Sequence, residues 1–202
     1  MKIALIGISG RVGSRLADEL LRRGHQITGI SRQAGATARP GLTLHCADAN
    51  DAAALAPLIA GHNAVISAGR FESTAAAPLL AAMRQAGVPR LLVVGGAGSL
   101  EVAPGVALID TAGFPDAYKA EAGAGRRFLD TLRAETALDW TFLSPAALFE
   151  PGERSGHFRL GGDQLLVDAE GNSRISMEDY AIALADELEQ PRHSRRRFSV
   201  AY

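Results

Sequence analysis

The sequence predicts an α/β fold built on a doubly wound parallel sheet, and three observations predict it. Short apolar runs alternate with segments of helical periodicity almost to the end of the chain. The first run leads straight into the turn Gly7-Ile8-Ser9-Gly10-Arg11-Val12-Gly13, which gives the order strand, glycine-rich turn, helix. At 202 residues, 47% hydrophobic and 21% charged, the chain fills one core and is short for two domains. We therefore expect a single domain over residues 1–202, with 145–202 as a small C-terminal segment covering the open end of the sheet.

Each element has a local reason. Ile3-Ala4-Leu5-Ile6 is apolar on both faces, as a buried parallel strand must be. From Val12 to Arg23 the apolar residues Val12, Leu16, Leu20 and Leu21 fall at helical spacing, and Gly24 supplies the stop. Strands follow at His25 to Ile30 and, after a loop containing Gly, Ala and Pro, at Leu42 to Cys46. Ala52 to Ala60 reads as a short helix closed by Gly61, Ala64 to Ile66 as a strand, and Thr74 to Ala86 as a helix closed by Gly87. Leu91 to Val94 is the fifth strand. A glycine-rich loop then leads to a helix over Ala117 to Glu135, where Gly123 and Gly125 suggest close packing on a neighbour. Trp140 to Leu143 is the sixth strand. Beyond it the alternation breaks into a short strand at Leu165 to Val167, a helix at Met177 to Glu189 opened by the Ser176/Asp179 signature, and a last strand at Phe198 to Val200.

Composition narrows the classes of partner. A net charge of −1 gives no global attraction to nucleic acid or to an acidic membrane surface. Arg195-Arg196-Arg197 is locally basic and reads as a solvated approach to the last strand. Cys46 is the only cysteine, so intramolecular disulfides are excluded and a reducing, cytoplasmic setting is expected. The apolar N-terminus breaks at Gly7, and no stretch approaches the length of a membrane span. His25, His45, His62, His157 and His193 lack ligand spacing, so no metal site is expected.

In an open parallel sheet, ligands gather outside the carboxyl ends of the strands where the strand order reverses. That rule nominates Gly7 to Gly13, Ser31 to Gln33, Asp48, Ser67 to Arg70, Gly95 to Ser99 and Ser144 to Ala146. The glycine turn is the pyrophosphate-binding signature of a Rossmann-like fold. Gly7 turns the chain, Gly10 lets backbone approach the phosphates, and Gly13 lets helix pack on strand, with the anion facing the helix N-terminus. The second strand ends Gly29-Ile30-Ser31-Arg32 without the acid that holds the ribose hydroxyl of NAD. Arg32 there suits the 2′-phosphate of NADP, and Arg11 could supply the same charge, so NADP(H) is the preferred cofactor and NAD(H) the alternative.

With these residues placed, the chain resembles the atypical short-chain dehydrogenase/reductases, particularly the NmrA-like and biliverdin/flavin reductase-like branch and its NADH-flavin reductase group. The resemblance is carried by the first glycine turn, by Gly95-Gly96-Ala97-Gly98-Ser99-Leu100, and by Leu143-Ser144-Pro145-Ala146. Pro151-Gly152-Glu153-Arg154 and Leu160-Gly161-Gly162-Asp163-Gln164-Leu165 belong to it too. It implies that Gly7, Ser9, Gly10, Arg11 and Val12 bind pyrophosphate, Ser31 and Arg32 the adenosine ribose and its phosphate, and Asp48 the adenine. Ser67, Ala68 and Gly69 would line the middle of the cofactor, with Gly95, Gly96 and Pro145 toward the nicotinamide.

One departure shapes the expected chemistry. Short-chain dehydrogenases use Tyr-x-x-x-Lys to exchange a proton with an alcohol. Here Lys2 and Lys119 are the only lysines, and four residues before Lys119 stands Pro115. A flavin does not need that machinery, since it takes hydride directly from the nicotinamide and its proton from water. The expected activity is thus NADPH-dependent reduction of flavin or a similar small planar acceptor by a monomer or homodimer, with no residue assigned as catalytic. A non-catalytic NADP redox sensor and a sugar-nucleotide epimerase or dehydratase are the alternatives. Tyr118 reads as a rim residue, His157 as a solvated one, and Glu150, Glu153, Arg154 and Asp163 as either a polar wall or a hydrogen-bonded loop.

Overall fold

Strand β1 (Lys2–Ile6) is buried from Ile3 onward on both faces, which places it in the middle of a sheet. The computed structural model describes residues 1–33 and 37–202. In chain order follow α1 (Arg11–Arg22), β2 (Gln26–Ser31), β3 (Leu42–Cys46), α2 (Ala52–Ile59), β4 (Ala64–Ser67), α3 (Ala76–Ala86) and β5 (Arg90–Val94). A hairpin of β6 (Glu101–Ala103) and β7 (Val106–Ala107) leads through a 3-10 turn at Leu108–Asp110 to α4 (Asp116–Arg133) and β8 (Asp139–Ser144). The C-terminal segment carries β9 (Leu148–Glu150), β10 (Arg159–Gly161), β11 (Arg174–Ser176), α5 (Met177–Glu189) and β12 (Arg196–Ala201).

Eight strands form one sheet in the order β10-β12-β8-β5-β4-β1-β2-β3. All neighbours run parallel except β10, which is antiparallel to β12 at the edge. The order reverses between β1 and β4, so the switch point lies where the glycine turn and Ser67 end their strands. Helices cover both faces. Leu16 and Leu20 of α1 pack with Tyr180, Leu184 and Leu188 of α5 over Ile3, Leu5 and Ile66. On the other face Leu55 and Ile59 of α2, Leu79 and Met83 of α3, and Phe128 and Leu129 of α4 cover Ala4, Val65 and Leu91. This is the doubly wound, Rossmann-like α/β arrangement.

Two readings need correction. Leu165 to Val167 is not a strand. The edge position beside β12 is taken by Arg159–Gly161, which pairs with Ser199–Ala201. Leu165 instead donates its N–H to Glu101 O at 2.8 Å, and Leu166 packs on Gly161, so this apolar triplet tacks a loop onto the sheet. Arg195-Arg196-Arg197 is not simply a solvated approach. Arg196 already lies in β12, and the Arg197 side chain is 3% exposed, held by Asp163. Of the two helical glycines, Gly125 does meet a neighbour, the Phe71 ring, while Gly123 meets only the Arg127 guanidinium.

Candidate functional site

The glycine turn is forced by geometry at two positions. Gly7 has φ +80°, and a Cβ there would stand 2.7 Å from Ala68 O. A Cβ on Gly13 would stand 2.1 Å from Gly7 O, so only glycine lets α1 start this close to β1. At Gly10 the space is open apart from Gly7 O at 3.2 Å. Gly10 caps α1 without a side-chain hydrogen bond, and the first turn holds no acidic residue. The first amides of α1 therefore face outward with the positive end of the helix dipole behind them, a seat that fits a pyrophosphate.

The other nominated loops join this turn along the carboxyl ends of the strands. Gly7 N donates to Ile30 O at 2.8 Å, which fixes the turn to the end of β2, where Ser31 and exposed Arg32 follow. Ala47 N donates to Ser31 O at 3.1 Å, which brings Asp48 alongside. The Asp48 carboxylate accepts from Asn50 N at 2.9 Å and so shapes its own turn. Arg11 and Ser9 are exposed, Val12 is half-buried, and Ser31 Oγ donates to Gln33 O at 2.6 Å.

On the other side of the switch point, Ala68 N donates to Ile6 O at 2.9 Å, following the buried Ser67. Gly69 leaves no room for a Cβ beside Thr74 Oγ1 at 2.4 Å. The loop continues to Phe71, which stacks on Phe142 with ring centroids 5.8 Å apart and lies 3.9 Å from where a Gly96 side chain would begin. Gly95 N donates to Leu143 O at 2.8 Å, and its α-carbon lies against Phe142, so a side chain there has no space. Gly96 is open by contrast. Pro145 follows at the end of β8, beside Ser144, whose buried Oγ has no partner among the described residues. Residues expected at the phosphates, middle and nicotinamide end thus form one continuous rim, and its open glycines and uncapped helix fit an extended dinucleotide.

Three acidic residues whose contacts the sequence does not indicate hold loops on this side of the sheet, Glu121 at the rim and Asp179 and Glu178 in the C-terminal segment. Glu121 on α4 accepts from Phe71 N at 2.8 Å and Glu72 N at 3.1 Å, fastening the loop after β4. Nothing in the sequence linked position 121 to a loop fifty residues away. In the sequence Asp179 marks only the start of a helix. Ser176 Oγ does accept from Asp179 N at 2.9 Å, but the fully buried Asp179 carboxylate turns elsewhere. It accepts from Ser155 Oγ at 2.5 Å, Gly156 N at 2.8 Å and Tyr202 Oη at 2.9 Å. Glu178 accepts from Gly152 N at 2.8 Å. The start of α5 thereby anchors the Pro151–Gly156 loop.

The segment so anchored bounds a cavity of about 470 Å³ with Leu148, Glu150, His157, Arg174 and Tyr202 among its walls. It lies on the crevice side of the sheet, because β8 leads into it through Pro145 and β12 ends beside it. Glu150 and Glu153 line it. Arg154 instead pairs with Glu19, and Asp163 with Arg197, so these four residues do not form one polar wall. Burial alone would raise the Glu19 carboxyl, but hydrogen bonds from Arg154, Arg23 and Arg22 outweigh it and bring the pKa down to about 2. Tyr118 is 65% exposed near the start of α4, and its neighbour Lys119 pairs with Asp116 at 2.6 Å. Four residues after Tyr118 stands Ala122, whose Cβ closes on Gly98. The Tyr180 hydroxyl is buried and donates to Leu143 O at 2.7 Å; burial pushes its pKa up.

Comparison with known proteins agrees with this geometry. Residues 7–191 match the family described as NAD(P)H-binding. A solved structure from Burkholderia pseudomallei, described as a candidate exported protein, is 50% identical with full coverage of both chains and a TM-score of 0.91. A Bacteroides thetaiotaomicron protein described as a candidate epimerase is 41% identical over 100% of this chain and 96% of its own, with a TM-score of 0.95. A Streptococcus pneumoniae protein described as a candidate NADH-flavin reductase is 34% identical over 100% of this chain and 99% of its own, with a TM-score of 0.87. Among the described residues no helix is long and apolar enough to cross a membrane. With the glycine cradle at the switch point and the match running over nearly the whole chain, the protein belongs to the NAD(P)H-binding family of atypical short-chain dehydrogenase/reductases.

Proposed function

We propose that the protein is an NADPH-dependent reductase of flavin or a similar planar acceptor, working by direct hydride transfer. The observation that carries this reading is at α4. The helix runs beside Gly95–Ser99, yet Ala122 rather than a lysine stands one turn beyond Tyr118 and is packed against Gly98. A substrate that needs its oxygen protonated in the transition state finds no tyrosine–lysine pair there, whereas a flavin does not require one. The similarity to a candidate NADH-flavin reductase supports the same substrate class.

In this reading the chain binds and orients. The first amides of α1 and the open edge at Gly10 seat the pyrophosphate, while Arg11 and Arg32 attract the 2′-phosphate and set the preference for NADPH. Ser67, Ala68 and Gly69 line the middle, with Asp48 at the adenine. Gly96 leaves one face of the nicotinamide end free of a side chain, and Gly95 lets the backbone there sit tight on Phe142, so a flat ring can approach within contact distance. A reduced nicotinamide bound there would supply the hydride for the acceptor ring, with water as the source of the accompanying proton. The reducing compartment inferred from the lone Cys46 is part of the proposal.

The test is NADPH oxidation with FMN or riboflavin. Acceleration above the uncatalysed rate supports the reading. Tight NADPH binding without turnover overturns it and favours a redox sensor. The candidate-epimerase relative favours a second reading, an epimerase acting on a sugar nucleotide. Interconversion of such a substrate with catalytic NADP⁺ would establish it.

A further inference from the structure

A second cavity, of about 610 Å³, opens at the end of the sheet opposite the crevice. Its walls come from the beginnings of β8 and β12, where Trp140 and Arg196 lie, whereas the dinucleotide rim lies beyond the ends of the parallel strands. Arg133, Arg195, Arg196 and Arg197 all line it, against one carboxylate, Asp163. Asp163 is already divided: Arg197 Nε donates to it at 2.6 Å, and Arg133 Nη2 stands 3.6 Å away. Arg195 and Arg196 are exposed and have no carboxylate partner among the described residues.

The backbone adds an independent sign. Arg195 has φ +52°, the one positive value at a non-glycine residue among those described. Its N–H donates to Trp140 O at 2.7 Å, and the preceding Ser194 Oγ donates to Asp139 at 2.6 Å, so the start of β8 holds this turn in place. Glycine or asparagine would adopt this conformation more readily, yet an arginine occupies it. A disfavoured backbone at an arginine on the wall of a concavity already rich in cations is a feature expected of a binding site. In a chain of net charge −1, this concentration of positive charge is local.

We propose that this cavity binds a small molecule carrying two or more phosphate groups. Guanidinium groups present paired N–H donors that match phosphate oxygens. A basic concavity confined to this one corner suits a compact polyanion better than a polymer backbone, which needs an extended basic face. The inference does not rest on the reductase reading: none of these residues belongs to the dinucleotide rim, and the one link between the two is Arg197 Nη1, which donates to Ser99 O at 3.4 Å at the far end of the Gly95–Ser99 loop.

Trp140 is the chain's single tryptophan, buried where it borders the cavity, so its fluorescence gives one readout of binding there. Inorganic pyrophosphate would be titrated into the full chain at constant ionic strength, with inorganic phosphate as the weaker comparison and calorimetry as a second readout. The expected result is saturable binding that weakens by roughly tenfold or more in Arg195→Gly/Arg196→Ser, where the lost contacts are charge-assisted. Glycine at 195 keeps the backbone conformation, and an unchanged circular dichroism spectrum checks the fold. Gly10→Val, which obstructs the dinucleotide seat, should leave the tryptophan response intact. The proposal is overturned if no saturable response is found, if Gly10→Val removes it while the arginine variant does not, or if a single-stranded oligonucleotide binds the same arginines more tightly than pyrophosphate.

Discussion

The three glycines of the first turn have different physical roles, and substitution separates them. Gly10→Val places methyl groups in the seat with one tight backbone approach, 3.2 Å to Gly7 O, so NADPH binding should be lost with a smaller loss of thermal stability than substitution at Gly13 brings. Gly13→Ala drives a Cβ into Gly7 O and should cost about 1–3 kcal/mol of stability as well as binding, read by urea denaturation alongside cofactor titration. Arg32→Glu turns attraction to the 2′-phosphate into repulsion, so NADPH affinity should fall far more than NADH affinity; equal losses would remove Arg32 as the discriminator. Glu19 gives a pH signature. Its folded pKa of about 2 lies below the ordinary 4.5, so its contribution is complete above pH 4.5 and disappears as pH falls toward 2. Glu19→Gln should therefore cost on the order of 2 kcal/mol at neutral pH, allowing for its half-exposed arginine partners, with the gap to the parent closing near pH 2. The glycines were legible in the sequence because their spacing encodes a local turn. Glu121 was not, because its partners at Phe71 and Glu72 come from a distant loop.

At the scale of elements, the start of α5 works as an anchor for the Pro151–Gly156 loop. Asp179→Asn keeps the volume but puts an amide where three donors converge on a buried carboxylate, so at least one of them loses its acceptor. The expected cost is about 1–3 kcal/mol, with faster proteolytic cleavage between residues 150 and 157 than in the parent. Cleavage that is no faster would show that the loop is held by other contacts. The α5 boundaries, Met177 to Glu189, were readable from Ser176 and from apolar spacing, both local signals. The β10 position was not. Leu165-Leu166-Val167 has the more strand-like composition, but edge pairing went to Arg159–Gly161, whose register is set by β12 across the sheet. The β6–β7 hairpin and the β9–β11 pair were missed because strands of two or three residues leave no period to detect.

For the whole molecule, the reversal of strand order between β1 and β4 turns a string of local turns into a site. Six loops that the sequence could only nominate one by one are brought side by side because each follows a parallel strand of the same sheet. Their alternation of strand and helix was readable, and so was the crevice. The cluster of arginines at the opposite end was not, since Arg133 and Arg195–Arg197 meet only after α4 and β12 are packed. The central claim is that this crevice delivers hydride to a diffusing planar acceptor. The most direct measurement is titration of the purified protein with NADPH and NADH, followed in the same cuvette by FMN or riboflavin while the reduced-nicotinamide absorbance is recorded. The expected result is tighter binding of NADPH than of NADH and flavin-dependent loss of that absorbance faster than the uncatalysed reaction. Tight binding with no acceleration by either flavin would contradict it.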